Sequence, residues 1–452
     1  MNPAEMKNRL TAMDRRHLWH HISPYNEDVP PMIVSEGKGA WITDIHGNKY
    51  LDGMSGLWCV NVGYGREELA EAASAQLKKM SYYPLVQSHI PAIELAEKLN
   101  EWLGGEYVIF FSNSGSDANE VAFKITRQFH QQNGEPNRYK FISRYRAYHG
   151  SSMGALSATG QALRKYKYEP LGTGFLHVRP PDSYRRPEEQ SVEEFNLQCA
   201  VAIEDTIVWE GKESIAGVIM EPVITGGGVF PPHRVYMKKV EEICKAYGVL
   251  LILDEVICGF GRTGKPFGYM NFDVRPDIVT MAKGITSGYL PLSATAVRKE
   301  IYERFKDGND YNHFRHINTF GGNPAACAVS LKNLEIIKNE RLVEQSQKLG
   351  DRLREQLKVI ENNPYVGDIR HLGFLMGIEI VENKKSKEPA SSERIANILA
   401  QCKQNGLIIG KNGDTVTGFN NILTISPPLS CTDEDFDFLA NTLITVLTNI
   451  EQ

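Results

Sequence analysis

Two apolar runs in this chain end in a charged residue that could do chemistry. Val249-Leu250-Leu251-Ile252-Leu253 runs into Asp254, and Ile278-Val279-Thr280-Met281-Ala282 runs into Lys283. Each run reads as a buried strand, and ligands of open α/β sheets bind at the carboxyl edge. A carboxylate buried there needs a cationic partner or it protonates. A lysine there is desolvated, which lowers its pKa and makes its amine a candidate nucleophile. Taken singly, Asp254 is as simply a helix cap or a salt-bridge acid, and Lys283 a surface lysine whose stem covers apolar neighbours.

A third segment bears on both. Phe111-Ser112-Asn113-Ser114-Gly115-Ser116-Asp117 passes from a strand through small polar residues into a helix. Backbone N–H groups of Gly115 and Ser116, with the serine hydroxyls, can hold a dianion against the helix dipole. A plain serine N-cap is the competing reading. An acid, an amine and an anion cradle are what a phosphorylated, electron-accepting cofactor requires.

Asp254 also opens the stretch DEVICGFGRTG, whose last six residues match G-x-G-x-x-G. A dinucleotide loop opens a helix, so that the pyrophosphate meets the helix N-terminus. Gly264 is followed instead by Lys265-Pro266-Phe267-Gly268, which reads as a turn. The acids further on, Asp273 and Asp277, sit in a proline-containing loop. The match therefore lacks the context of a nucleotide site, and Asp254 stays a candidate for chemistry beside its plainer readings.

The elements that must position these residues alternate. Helical spacing covers 67–80, 94–103, 117–131 and 234–247; strand-like apolar runs cover 107–111, 140–143, 215–220 and 249–253. Such alternation predicts a mainly parallel sheet covered by helices. The first 55 or so residues read as irregular, with short strand-like pieces at 32–34 and 40–44. After Pro324 the pattern changes to long helices at 325–339 and 342–361. A strand at 374–381, a solvated loop at 382–388, a helix at 392–405, a strand at 422–425 and a last helix from Asp433 follow.

The 452 residues suffice for two or three domains. With 42% hydrophobic and 23% charged residues and a net charge of −5, the chain reads as globular, without the basic field that nucleic acid or an anionic membrane would need. No run reaches the length of a membrane span, the N-terminus lacks the apolar core of a signal peptide, and seven cysteines without a C-x-x-C pair suggest reduced thiols. A cytoplasmic protein is expected. The histidines of HLWHH (17–21), and His313 with His316, lack the ligand arrays of a metal site. No G-x-S-x-G elbow is present.

In order along the chain stand Ser112-Asn113-Ser114-Gly115-Ser116, Tyr148-His149-Gly150, Met220-Glu221-Pro222-Val223, Asp254 to Gly264, Ala282-Lys283-Gly284, Asn318 to Pro324 and Pro427-Pro428-Leu429. On these segments the chain resembles the class III (omega) aminotransferases of fold type I, over nearly its whole length. The resemblance implies pyridoxal 5'-phosphate as cofactor. It also implies a large domain with a mainly parallel seven-stranded sheet (59–327), and a smaller α+β domain drawn from both termini (1–58 and 328–452). Lys283 would hold the cofactor covalently and later move a proton between substrate and cofactor. Asp254 would keep the ring nitrogen protonated. Val256 would lie on the same strand face as Asp254 and press one side of the ring, with Tyr148 stacked on the other. Ser114, Gly115 and Ser116 would bind the phosphate, and His149 and Glu221 would lie beside the cofactor. Thr319 would reach the phosphate of the neighbouring subunit of a homodimer. HLWHH resembles the family's N-terminal segment near the active site.

Substrate residues depart from the family. Members using 2-oxoglutarate carry an arginine where this chain has Thr424, so pyruvate is the expected acceptor. The arginine that pyruvate-using and diaminopelargonate-forming members place slightly earlier is also missing. That stretch reads Gly410-Lys411-Asn412-Gly413-Asp414, most like taurine:pyruvate aminotransferases, with Lys411 as a candidate point charge. Trp58 matches an aromatic that walls the amine pocket. The expected activity is ping-pong transfer from an omega-amine, omega-amino acid or taurine-like donor. Diaminopelargonate formation, and an aminomutase or decarboxylase on the same fold, are the alternatives.

Overall fold

The computed structural model describes residues 3–306, 308, 311–413 and 415–450. Its largest sheet has the strand order β4-β10-β9-β8-β7-β5-β6. The strands are β4 (Tyr107–Ser112), β5 (Lys140–Arg144), β6 (Phe175–Val178), β7 (Ile215–Met220), β8 (Leu250–Asp254), β9 (Ile278–Met281) and β10 (Ser293–Arg298). Neighbours from β6 to β9 are parallel, and β10 runs against both β4 and β9. Every residue of β7, β8 and β9 is buried. That is why these strands read as unbroken apolar runs: helices cover both faces of a parallel sheet.

Two smaller sheets flank it. One is β1-β2-β3-β14, built from Val34–Lys38, Trp41–Asp44, Lys49–Asp52 and Leu407–Ile408. β14 pairs in parallel with β3, so a C-terminal strand completes an N-terminal sheet. The other is β11-β12-β16-β15, built from Val366–His371, Met376–Asn383, Ile422–Ile425 and Gly410–Lys411, with β13 (Glu388–Pro389) beside β12.

Several expectations need correction. Residues 3–17 form helix α1, not irregular chain. Met6, Leu10 and Met13 have helical spacing on it, and all are exposed, so burial gave no cue. The helix expected over 342–361 stops at Gln356 and tightens into a 3₁₀ turn, Leu357–Ile360. β11 was not expected, and it pairs with β12. The stretch 382–388 is a hairpin tip rather than a free loop, and Glu382 pairs with Arg394 at 2.8 Å. Helix α2 (Pro324–Asn339) runs through the 327/328 boundary.

One buried cation joins distant segments. Arg262 donates to the carbonyls of Pro427 (2.6 Å) and Phe374 (3.3 Å), to Asn61 Oδ1 (2.9 Å) and to Ser55 Oγ (3.2 Å). Burial pushes its pKa down to about 10. The glycines around it turn the chain, as Gly261 and Gly264 have φ of +93° and +77°. A turn follows Gly264, not a helix, so the G-x-G-x-x-G match has no nucleotide-binding context.

Candidate active site

The carboxyl ends of five strands converge on one cavity of about 150 Å³. β4 leads to Gly115 and Ser116, β5 to Tyr148 and His149, β7 to Glu221, β8 to Asp254 and Val256, and β9 to Lys283. All of these line the cavity. The register explains the convergence: Met220 is paired with Leu253, and Asp254 with Thr280.

Asp254 is 4% exposed. Its Oδ2 accepts from Asn119 Nδ2 and His149 Nδ1, both at 2.9 Å, and Oδ1 accepts from the Val256 N–H at 3.1 Å. Asn119 is itself fixed: its Nδ2 donates to the His149 carbonyl (2.6 Å) and its Oδ1 accepts from Thr280 Oγ1 (2.8 Å). The other ring nitrogen of His149, Nε2, is buried with no partner among the described residues. Asn119 escaped the sequence reading. Its one signal is position, an amide among Ala118, Val121 and Ala122 on the buried face of α3 (Gly115–Gln132).

Lys283 follows β9 with φ +49°. Its Nζ lies 5.3 Å from the Trp58 ring centroid. Burial pushes its pKa down. Glu221 is fully enclosed; its Oε1 accepts from the Tyr148 N–H (2.8 Å), and its Oε2 from Thr225 N–H (2.7 Å) and Oγ1 (2.8 Å). Burial pushes its carboxyl up, with His149 opposing. Glu255, next to Asp254, accepts from the N–H groups of Gly268 and Tyr269, both at 2.8 Å. Burial pushes it up to about 8.

The phosphate-type segment divides its labour. Ser114 caps α3: its Oγ accepts from the Asp117 N–H (3.2 Å), and Asp117 Oδ2 accepts from the Ser114 N–H (3.0 Å). This is a reciprocal capping box. Gly115 and Ser116 face the cavity. A Cβ on Gly115 would stand 3.0 Å from both methyls of Val256, so any side chain there must push Val256 toward the cavity. Val256 is not on the strand face, because β8 ends at Asp254; a turn carries it to the cavity instead.

Other expected residues lie elsewhere. Trp58, with φ +55°, packs against Val223, Val229, Cys258 and Leu375 beside Lys283. Its indole N–H is buried without a partner among the described residues. Lys411 is exposed on β15 and does not line the cavity. Asp414 lies outside the described residues. Thr424 is buried on β16 against Met54. Thr319 is exposed, and its carbonyl accepts from Tyr82 OH at 2.9 Å. His17, Leu18, Trp19 and His20 of HLWHH line a different cavity, with Lys403, and not the one that Lys283 lines. Among the described residues no cluster of three or more His, Cys, Asp or Glu is placed to hold a metal.

The donor set suits pyridoxal phosphate: backbone N–H groups at a helix start for its phosphate, a fixed carboxylate for its ring nitrogen, a desolvated amine for its aldehyde carbon, and Val256 and Tyr148 for its faces. A fold and site of this kind define a pyridoxal-phosphate enzyme of fold type I. Comparison with known proteins narrows the class. The family described as Aminotransferase class-III matches residues 22–447, and the chain belongs to it. It is 58% identical to an uncharacterized aminotransferase, YhxA, of Bacillus subtilis, over 98% of this chain and 97% of that one. It is 42% identical to the taurine–pyruvate aminotransferase of Bilophila wadsworthia, over 99% and 98%. Among solved structures, a Bacillus anthracis aminotransferase superposes with a TM-score of 0.95 at 56% identity, covering 99% of each chain. An omega transaminase from Pseudomonas jessenii in complex with PMP superposes with 0.93 at 33%, covering 98% of each.

Proposed function

We propose that this aminotransferase carries an amino group from an omega-amine, omega-amino acid or taurine-like donor to pyruvate, by a ping-pong reaction on pyridoxal 5'-phosphate. The observation that carries the proposal is the convergence of Lys283 and Asp254 on one cavity. The similarity to a taurine–pyruvate enzyme, and the threonine at position 424, support the donor and acceptor. Diaminopelargonate formation has no such support.

Bound pyridoxal phosphate supplies an electron sink for the bond between the substrate's amine-bearing carbon and its hydrogen. The chain does the rest. Lys283 would hold the cofactor covalently through its Nζ, and once an incoming donor amine has displaced it, the freed Nζ would take that proton and return it. Asp254, steadied by Asn119 and His149, holds a proton on the ring nitrogen. Val256 and Tyr148 flank the ring. The N–H groups of Gly115 and Ser116 bind the phosphate, and Ser114 fixes the helix start that aims them. Glu221 stays beside the cofactor, locked by Tyr148 and Thr225, and Trp58 closes the amine pocket.

The active unit in this proposal is a homodimer, with Thr319 reaching the partner's phosphate. Exposed Ile317 (66%), Phe320 (64%) and Val86 (69%) around Thr319 are the apolar surface such an interface would cover. The division into 59–327 and a smaller domain from 1–58 and 328–452 belongs to the same proposal, with β14 on β3 as its support. So does a cytoplasmic setting, supported by seven free cysteines. Among the described residues no helix is long and apolar enough to cross a membrane.

A donor and acceptor screen tests the assignment. Taurine, β-alanine or a simple amine should bleach the cofactor's long-wavelength absorbance, and pyruvate should restore it. Product formed without any oxo acid would favour an aminomutase or decarboxylase instead.

A further inference from the structure

We infer that Arg164, from its place on the ring of Tyr148, holds the carboxylate of the oxo acid, and the sulfonate or distal carboxylate of an anionic donor, entering the Lys283 cavity. The inference rests on the function proposed above and names its anion-recognition residue. The two positions where the family resemblance expects an arginine hold Thr424 and the segment 410–414. Thr424 is buried against Met54, and Lys411 is exposed on β15 and is not among the residues lining the cavity. An anionic substrate entering there therefore needs a cation from another element.

Arg164 meets that need. Its guanidinium carbon lies 4.8 Å from the ring centroid of Tyr148, and Tyr148 lines the cavity. Its Nε donates to Gln161 Oε1 at 2.6 Å, and Gln161 Nε2 donates to the Arg146 carbonyl at 2.9 Å. Gln161 is fully buried, so the guanidinium hangs from a fixed amide. Its Nη2 faces Gly413, where a Cβ would stand 2.9 Å away. Arg164 is partly exposed, and among the described residues no carboxylate lies within ion-pair distance of it.

The other guanidiniums considered are buried, or already paired with carboxylates or carbonyls. Arg146 pairs with Asp182 at 3.0 Å, Arg185 and Arg370 share Glu379 at 2.7 and 2.9 Å, and Arg262 is spent on carbonyls and amide oxygens. Arg144 is fully buried behind the Glu221 carbonyl. A planar fork stacked on an aromatic ring is already ordered, so it loses little freedom on gripping a carboxylate with two hydrogen bonds. A sulfonate offers the same fork two of its three oxygens.

The test uses the holoenzyme and the variants Arg164→Ala and Arg164→Lys. Propionate and ethanesulfonate, which carry no amino or oxo group, are titrated against the cofactor's absorbance. Removal of the guanidinium should weaken both by about tenfold or more, the worth of a charge-assisted hydrogen bond. The ratio of kcat/KM for pyruvate to that for propanal should fall by a similar factor, through KM. Arg164→Lys should recover part of each loss. Unchanged anion affinity and an unchanged ratio overturn the inference. So does an equal loss for pyruvate and propanal, which would make Arg164 a prop for Tyr148. A wild-type protein that binds both anions but transfers no amino group to pyruvate would sink the proposed function alone.

Discussion

At the residue scale the site depends on a few buried charged and ionisable side chains. Lys283 loses solvation and with it basicity. Lys283→Ala is expected to lower turnover by several orders of magnitude while the circular dichroism spectrum stays that of the wild type; near-normal rates in a donor–pyruvate assay would contradict its role. Asp254 accepts three hydrogen bonds, and in the proposed function it faces the ring nitrogen. Asp254→Ala is expected to slow the reaction by about 100-fold or more and to weaken cofactor binding. Single-turnover kinetics and a cofactor titration measure the two effects. Glu255 gives a pH signature. Its pKa is raised from 4.5 to about 8, so between those values the folded chain keeps a proton that the unfolded chain has lost. Its contribution to stability is present at low pH and is lost as pH rises through about 8. Urea unfolding at about pH 5.5 and about pH 8.5 should show wild-type stability falling with pH, and Glu255→Gln falling less. Equal slopes would show that Glu255 is ionised throughout.

At the element scale the site is a set of strand ends and one helix start. Ser114→Ala removes the reciprocal cap and should cost about 1 kcal/mol in thermal unfolding. Gly115→Ala keeps the cap but pushes on Val256. It should weaken pyridoxal phosphate binding about tenfold with little loss of stability. The sequence showed these elements well where the physics is local. β7, β8 and β9 are buried on both faces and read as apolar runs, and Asp254 and Lys283 stand out as charges ending them. Ser114 to Ser116 is legible as a helix start, but cap and anion site separate only in three dimensions, where Ser114 turns to Asp117 and Gly115 to Val256. What the sequence hid depends on contacts between distant segments. Val256 reaches the cavity by a turn rather than a pleat. Asn119 and Thr280 act on Asp254 from a helix and a neighbouring strand. α1 has no buried face in this chain to give it periodic burial.

At the scale of the whole molecule, Arg262 is the tie that a glycine motif concealed. Four segments lie around its guanidinium, and the contacts are hydrogen bonds to neutral oxygens. Arg262→Met would leave several of them unpaired and should cost about 3 kcal/mol. Apolar exposure at Ile317, Phe320 and Val86, with the stripe on α1, belongs to the same scale. Sedimentation equilibrium should give twice the chain mass. The central claim is that Lys283 is the amine that carries the cofactor. Borohydride reduction of the protein saturated with pyridoxal phosphate, followed by peptide mass spectrometry, tests it most directly. One pyridoxyl group per chain on the peptide containing Lys283 is the predicted result. A group on another lysine, or none, would contradict the account.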